Sequence, residues 1–459
     1  MQKHSYCKCR RKKRQNGEKD MFKLGKTKIP HRKHTAAMEA VRMPAPASVL
    51  IPMAQHIGAP AVPTVKVGDK VCVGTKIADA GGFVSAPIHS SVSGTVKKID
   101  AFLSSNGRSC PAVLIESDGE MTLDPEIKAP VVTNIDELCT AVRESGLVGL
   151  GGAGFPTSVK LEAEKKGIIK KIIINGAECE PYITADTRTM IDDADYVVKG
   201  VKILEKFISA DEVVIGIEKN KPEAIAKLKS LFADDPKVRI DVLPSTYPQG
   251  AEKILIYNTT GRVVPEGGLP SDVGCLVMNV TSVAFIAHYL ESGIPLVEKC
   301  LTVDGSAIKS PKNVIVPIGT SVKEVIDFVG GDTDDVAKVL YGGPMMGIAM
   351  YNTSDPILKN NNAITVLNKK DASPLKQYAC IHCGRCVAAC PMGLNPTAFA
   401  KAMKVEDKDD RAARLTDAKI NLCMECGCCS FVCPSRRPLV ETNRLAKADL
   451  RNNQAAKKN

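Results

Sequence analysis

Eight cysteines in two copies of one spacing constrain this chain more than any other feature. Cys380, Cys383, Cys386 and Cys390 are followed by Pro391, and Cys423, Cys426, Cys429 and Cys433 by Pro434. Each set reads C-x₂-C-x₂-C-x₃-C-P, the spacing that wraps a [4Fe–4S] cubane. The short gaps bring three thiolates out of one turn and aim backbone amides at the cluster sulfurs. The fourth cysteine leaves with the chain and ligates the other cluster in two-cluster folds. The expected metal ligands are therefore Cys380, Cys383, Cys386 and Cys433 for one cluster, and Cys423, Cys426, Cys429 and Cys390 for the other. C-x₂-C pairs also suit tetrahedral zinc, but zinc has no use for a fourth Cys–Pro, let alone two. Cys428, inside the second motif, reads as a packing residue.

Composition narrows the class further. Of 17 cysteines, nine lie between Cys380 and Cys433 and the rest follow no regular spacing, which implies a reducing compartment rather than a disulfide scaffold. At 459 residues the chain should form several domains. Trp is absent and aromatics make up 4%, which argues against a base-stacking surface and a nucleic-acid partner. Much of the +11 charge sits in residues 1–20, where eight Lys or Arg face two acids without an apolar run, so a basic disordered tail is expected. The best candidate for a membrane span, Val273–Leu290, is 18 residues long and carries Asn279, Thr281, Ser282 and His288. It falls short of the ~20 apolar residues that cross hydrocarbon, and reads as a buried strand running into a helix.

Periodicity divides the remainder. Residues 41–118, within a first domain spanning 21–125, are short β-runs punctuated by Gly and Pro. Within them VKVGDKVCVGTKI and VSAPIHSSVSGTVKKI resemble the barrel-sandwich domains of lipoyl and biotinyl carriers. A carrier needs a Lys at its hairpin tip, and Ile77–Val96 has none, so a docking or structural barrel is expected. Residues 126–292 alternate helix and strand: a helix Ile135–Glu144 capped by Asn134, strands at Lys171–Ile174, Glu212–Ile217, Val238–Leu243 and Cys275–Asn279, and a helix Pro222–Phe232. That order predicts a layered α/β sheet. Residues 293–358 fit a small β-grasp unit, 359–373 a polar linker, 374–442 the α-helical cluster domain and 443–459 a charged tail.

Two loops in the α/β region carry chemistry. Gly149, Gly151, Gly152 and Gly154 spell G-x-G-x-x-G and run into Phe155-Pro156-Thr157, with Lys160 one turn into the next helix. A dinucleotide fingerprint follows a strand, whereas this loop follows a predicted helix, so the ordinary reading is rejected. Glycines still let amides converge on a phosphate at a helix N-terminus; a tight interdomain turn is the alternative. Asn175-Gly176-Ala177-Glu178-Cys179-Glu180-Pro181 follows directly on a buried strand, the place where α/β sheets bind ligands.

Together, GLGGAGFPTSVK and NGAECEP resemble the flavin site of the NADH-oxidising subunit of respiratory complex I and its relatives, and within that group the C subunits of Rnf complexes. The resemblance extends through the barrel, YPQGAEK, GGPMMG and both cysteine motifs. It implies a multidomain α/β protein: a lipoyl-like barrel-sandwich domain, a Rossmann-like flavin domain, an SLBB-like β-grasp domain and a ferredoxin-like domain with two [4Fe–4S] clusters. It implies FMN as cofactor and NAD(H) as substrate. Gly149, Gly151, Gly152, Gly154 and Lys160 would cradle the FMN phosphate; Asn175, Glu178 and Asn279 would bond the ribityl chain or isoalloxazine; Phe155, Glu180 and Glu252 would face NADH, with Tyr247 at the flavin edge. The implied activity is that of the peripheral subunit of an ion-translocating NAD:ferredoxin oxidoreductase, on the cytoplasmic side of the cell membrane. Its partners would be the other Rnf subunits, including a ferredoxin-like iron–sulfur subunit. The alternatives are a soluble cobalamin- or quinone-reductase-like enzyme, or an electron wire whose flavin site has decayed. The wire draws on Ala177 and Ala251, which stand where complex I proteins have acids.

Overall fold

A computed structural model describes residues 25–457 apart from 106, 108, 374 and 375; the basic tail expected at 1–20 lies outside the described residues. The barrel-sandwich packs two antiparallel sheets face to face. One runs Ser48–Pro52, Ser109–Ser117, Gly94–Leu103, Lys70–Val71, and the other Val62–Pro63, Lys76–Asp79, Ile88–His89. Alternation along the long strands turns Val49, Ile51, Val96, Val113 and Ile115 into a core with no solvent exposure.

The α/β domain is built on four parallel strands in the order Val238–Leu243, Glu212–Glu218, Lys171–Gly176, Cys275–Asn279. Helices cover both faces, which explains the unbroken apolar runs. Ile172 and Ile174 pack on one side with Val197, Val201 and Leu204. Ile173 points the other way, to Leu255 and Ile256. Helix Ile135–Glu144 starts where expected, with the Asn134 side chain accepting from the Glu137 amide. Strand order reverses between Lys171–Gly176 and Cys275–Asn279, so a ligand crevice opens at their C-terminal ends.

Two boundaries differ from the sequence reading. Residues 359–373, expected as a linker, contain the strand Ala363–Asn368, which lies inside the six-stranded β-grasp sheet between Glu298–Asp304 and Val336–Tyr341. Its short apolar run is flanked by Asn and Lys, so the stretch reads as polar in sequence although the first five residues of the strand are buried. Residues 443–456, expected as part of a charged tail, belong to the helix Leu439–Ala456 that begins in the cluster domain. That helix buries Ala446 and Leu450 against Phe399, Leu415 and Ile420.

The domains are pinned by buried polar groups. Lys359 lies almost fully inside the protein, and its ammonium donates to the carbonyls of Pro87 in the barrel and Gly146 in the α/β domain, at 2.8 and 2.7 Å. Burial pushes its pKa down to about 7. The N-terminal segment also crosses between domains, with Val41–Arg42 pairing in parallel with Val314–Ile315 of the β-grasp sheet.

Inside the α/β domain, helix Ala194–Phe207 meets helix Val280–Ser292 at Gly200, where a Cβ would stand 2.2 Å from the Val283 carbonyl oxygen. Gly200→Ala is expected to cost about 1–3 kcal/mol by overpacking. A thermal melt followed by circular dichroism measures it as a lowered midpoint; an unchanged midpoint would contradict this close approach.

Candidate functional site

The two cysteine turns follow the same backbone course. His382 (φ 54°) and Glu425 (φ 59°) occupy equivalent left-handed positions, as do Gly384 (φ 73°) and Gly427 (φ 78°). Each turn leads into a one-turn helix, Arg385–Ala388 or Cys428–Phe431. One cavity is lined by Cys390, Cys423, Cys426 and Cys429 together with the extra Cys428, the other by Cys380, Cys383, Cys386 and Cys433. The structure thus gathers the expected ligands in two fours, with the fourth cysteine exchanged between motifs. Among the described residues no three donors are set to hold a single metal ion. Sulfurs ringing a cavity suit a cubane, which spreads its four ligands around a body of atoms.

Donors already face these sulfurs. The His382 amide donates to Cys380 Sγ at 3.4 Å and the Leu394 amide to Cys390 Sγ at 3.3 Å. Asn443 Nδ2, from the C-terminal helix, stands 3.5 Å from Cys423 Sγ and 4.0 Å from Cys429 Sγ. Burial pushes the Cys429 thiol up to about 12.

The glycine-rich loop is closed at its base by a bridge between Val148 and Pro156, with the Gly149 amide donating to the Phe155 carbonyl at 2.9 Å. It lies over the switch point of the parallel sheet. A Cβ at Gly151 would sit 2.2 Å from Asn279 Nδ2, and Gly154 adopts φ 70°, so both positions require glycine. Asn279 caps helix Val280–Ser292 and donates to Asp186 Oδ2 at 2.8 Å. Lys160 reaches the same crevice, 3.0 Å from both the Val277 carbonyl and Glu252 Oε1. Asn175 Nδ2 donates to the Gly250 carbonyl at 2.8 Å, tying the end of its strand to the loop that carries Tyr247. A glycine loop closely approached at Gly151 and left-handed at Gly154, a cation beside it and a carboxylate across the crevice suit a phosphorylated flavin.

The acids divide their tasks. Glu178, expected against the flavin, is buried and accepts from the Asp186 amide at 2.8 Å and the Thr187 hydroxyl at 2.7 Å, so both oxygens hold the start of helix Ala185–Asp192. Glu180 accepts from the Met345 and Met346 amides at 3.0 and 2.7 Å, which draws the GGPMMG segment over the site. Burial pushes Glu180 up to about 7. Tyr247, 1% exposed, donates its hydroxyl to the Cys426 carbonyl at 2.7 Å. The cavity lined by Cys426 therefore abuts the α/β domain, while the other is lined by the exposed Cys383. Ile29, Tyr247, Ala389, Cys426 and Cys428 form one apolar cluster across this junction.

Sequence reasoning missed several contributors. Asn360 donates to the Gly152 carbonyl at 3.2 Å, yet its Asn-rich context signals only a loop. Met345 and Met346 act through amides, which leave no side-chain signature. Asn443 lies ten residues beyond the last ligand, where helical spacing after Pro434 is the one available signal.

Fold and site together define an iron–sulfur protein with a nucleotide-type flavin domain, and family profiles agree. The Nuo51 FMN-binding domain matches residues 142–288, the RnfC barrel sandwich hybrid domain 21–120, the SLBB domain 301–349 and the 4Fe-4S dicluster domain 376–436. The chain is 45% identical over 369 residues to the C subunit of the proton-translocating ferredoxin:NAD(+) oxidoreductase complex of Clostridium ljungdahlii, covering 80% of each chain. It is 43% identical to the C subunit of the Na(+)-translocating ferredoxin:NAD(+) oxidoreductase complex of Acetobacterium woodii, over 78% of this chain and 81% of that one. The C subunit of the ion-translocating oxidoreductase complex of Rhodobacter capsulatus is 39% identical, over 80% and 72%. The chain belongs to this family of Rnf complex C subunits.

The exchanged ligands make a sharp expectation. Cys433→Ser and Cys380→Ser should each remove the same cluster, leaving about four of about eight irons and identical residual electron paramagnetic resonance spectra; different residual spectra would contradict the exchange. Asn443→Ala removes a donor to two sulfurs and should lower the potential of the neighbouring cluster. About 1 kcal/mol for a hydrogen bond corresponds to roughly 40 mV for one electron, which a redox titration resolves.

Proposed function

We propose that this chain passes electrons between NAD(H), FMN and two [4Fe–4S] clusters as a peripheral subunit of a membrane-bound, ion-translocating ferredoxin:NAD(+) oxidoreductase. The observation that carries the proposal is the Tyr247 hydroxyl on the Cys426 carbonyl, which seats a cluster turn at the ligand-binding edge of the flavin-type sheet. FMN held there would supply the chemistry that links two-electron hydride exchange with the nicotinamide to one-electron exchange with the clusters.

The residues divide the work by position. Gly149, Gly151, Gly152 and Gly154 let the chain approach the FMN phosphate closely, and Lys160 supplies the balancing cation. Lys160 is now paired with Glu252, so a phosphate in the cradle would take over the ammonium and free Glu252 to face the nucleotide. Asn175 and Asn279 orient the rest of the cofactor from the two strand ends. Phe155 and Glu180 border the nicotinamide side, under the Met345–Met346 segment. Glu178 acts from behind, fixing the helix start that holds Asp186 and hence Asn279.

Among the described residues no helix is long and apolar enough to cross a membrane, which supports docking through partner subunits. All described cysteines are unpaired, in keeping with a reducing, cytoplasmic face. Around the outer cysteine set, Cys383, Ile381, Tyr378 and Val387 are exposed. That rim is where a ferredoxin-like iron–sulfur subunit of the complex would exchange electrons.

Anaerobically purified protein should contain about eight irons and one noncovalent FMN, with a flavin absorbance that NADH bleaches; protein lacking a bleachable flavin would refute the proposal. Lys160→Met should release FMN on gel filtration while keeping its iron. Full FMN retention would move the phosphate site elsewhere.

A further inference from the structure

The N-terminal segment from Gly25 to Thr35 lies across the molecule as a strap. A Cβ on Gly25 would stand 2.6 Å from the backbone of Ala389, beside the ligand Cys390. Thr27 forms a two-way backbone bridge with Tyr247, both hydrogen bonds at 2.9 Å. The His31 carbonyl accepts from the Tyr182 amide at 3.0 Å, and Arg32 contacts both the Tyr182 hydroxyl and Asp371. His34 Nδ1 lies 3.1 Å from Asp304 of the β-grasp sheet.

Between these anchors, Lys33 turns inward. Its ammonium donates to the backbone carbonyls of Glu178 at 2.7 Å and Glu180 at 2.8 Å, and also to that of Ile183. The Glu178 carboxylate stands 4.0 Å away, and the Lys33 side chain is 13% exposed. Three carbonyls of one short turn thus converge on a single cation. The turn is itself strained, because Tyr182 holds φ 71°, a left-handed conformation that a bulky residue adopts only under constraint.

Resting on the assignment of Glu180 to the nucleotide side of the flavin, we infer that Lys33 is the positioning residue that fixes the Glu178–Ile183 turn, and with it Glu180, for NADH. Three converging carbonyls use all three ammonium donors; a neutral side chain leaves those of Glu180 and Ile183 without this donor, and that of Glu178 with only the longer bond from Lys221 at 3.4 Å. With its carbonyls released, the turn relaxes its left-handed residue. Glu180 then loses the fixed orientation that ties it to the Met345 and Met346 amides. The effect reaches the nucleotide through the turn alone, since the ammonium is spent on backbone.

The test uses anaerobically purified holoprotein with NADH as donor and ferricyanide as acceptor. Lys33→Met should raise KM for NADH about tenfold or more, the scale of a lost charged hydrogen bond, with kcat within about twofold and iron and FMN content unchanged. Lys33→Gln, which keeps two donors, should fall between Met and the wild type. A purely structural lysine would lower the melting temperature and leave KM in place, and that result overturns the inference. Should neither variant accumulate, hydrogen exchange on the wild type decides: NADH should slow exchange in residues 29–35 together with 178–186. Protection of 178–186 alone would overturn it. A wild type whose flavin NADH does not bleach would instead overturn the functional proposal itself.

Discussion

A phenol buried between two domains fixes how the second cysteine turn sits against the parallel α/β sheet. Tyr247 sits at the C-terminal edge of the parallel sheet and bonds a carbonyl inside the second cysteine turn. Its ring packs with Ile29, Ala389, Cys426 and Cys428. Apolar packing around one satisfied hydroxyl makes this junction both dry and specific, because a shift of either domain would strand a buried donor. The other features serve it. Asn175 fixes the Tyr247 loop through Gly250, Thr27 clamps it from outside, and the helix beginning at Glu252 starts just after it.

Charge is used in this protein as a clasp more than as surface decoration. Lys33, Lys359 and Lys221 each leave water to bond backbone carbonyls. Of the three, Lys221 alone has a carboxylate at hydrogen-bonding distance, Glu218 at 2.9 Å. An ammonium shared among carbonyls fixes several peptide orientations with one side chain. The cost is desolvation, which is why Lys359 is pushed toward neutrality. Such clasps hold loops that helices and strands cannot, and the loops they hold flank the flavin crevice.

The sequence revealed the chemistry-bearing parts unevenly, for physical reasons. Cysteine spacing is local, so both cluster turns could be read directly, and the pseudo-symmetry of their backbones follows from matching glycines at 384 and 427. Parallel strands covered on both faces leave long apolar runs, so the sheet was visible too. The strand Ala363–Asn368 escaped because asparagines precede it and lysines follow. Lys33 escaped because its carbonyl partners lie about 150 residues away and leave no pattern. Glu178 was assigned to the cofactor from its neighbourhood in a motif. Its two hydrogen bonds to Asp186 and Thr187 depend on a helix start that only the fold brings within reach.

If the junction at Tyr247 orders electron flow, the cluster held by Cys390, Cys423, Cys426 and Cys429 stands between the flavin and the outer cluster. Stopped-flow mixing of NADH with two single-cluster proteins, Cys380→Ser and Cys423→Ser, tests that order most directly. The Cys380→Ser protein should reduce its remaining cluster as fast as the wild type reduces its first, while the cluster left in Cys423→Ser stays oxidised on that timescale. Rapid reduction in Cys423→Ser, with none in Cys380→Ser, would contradict it.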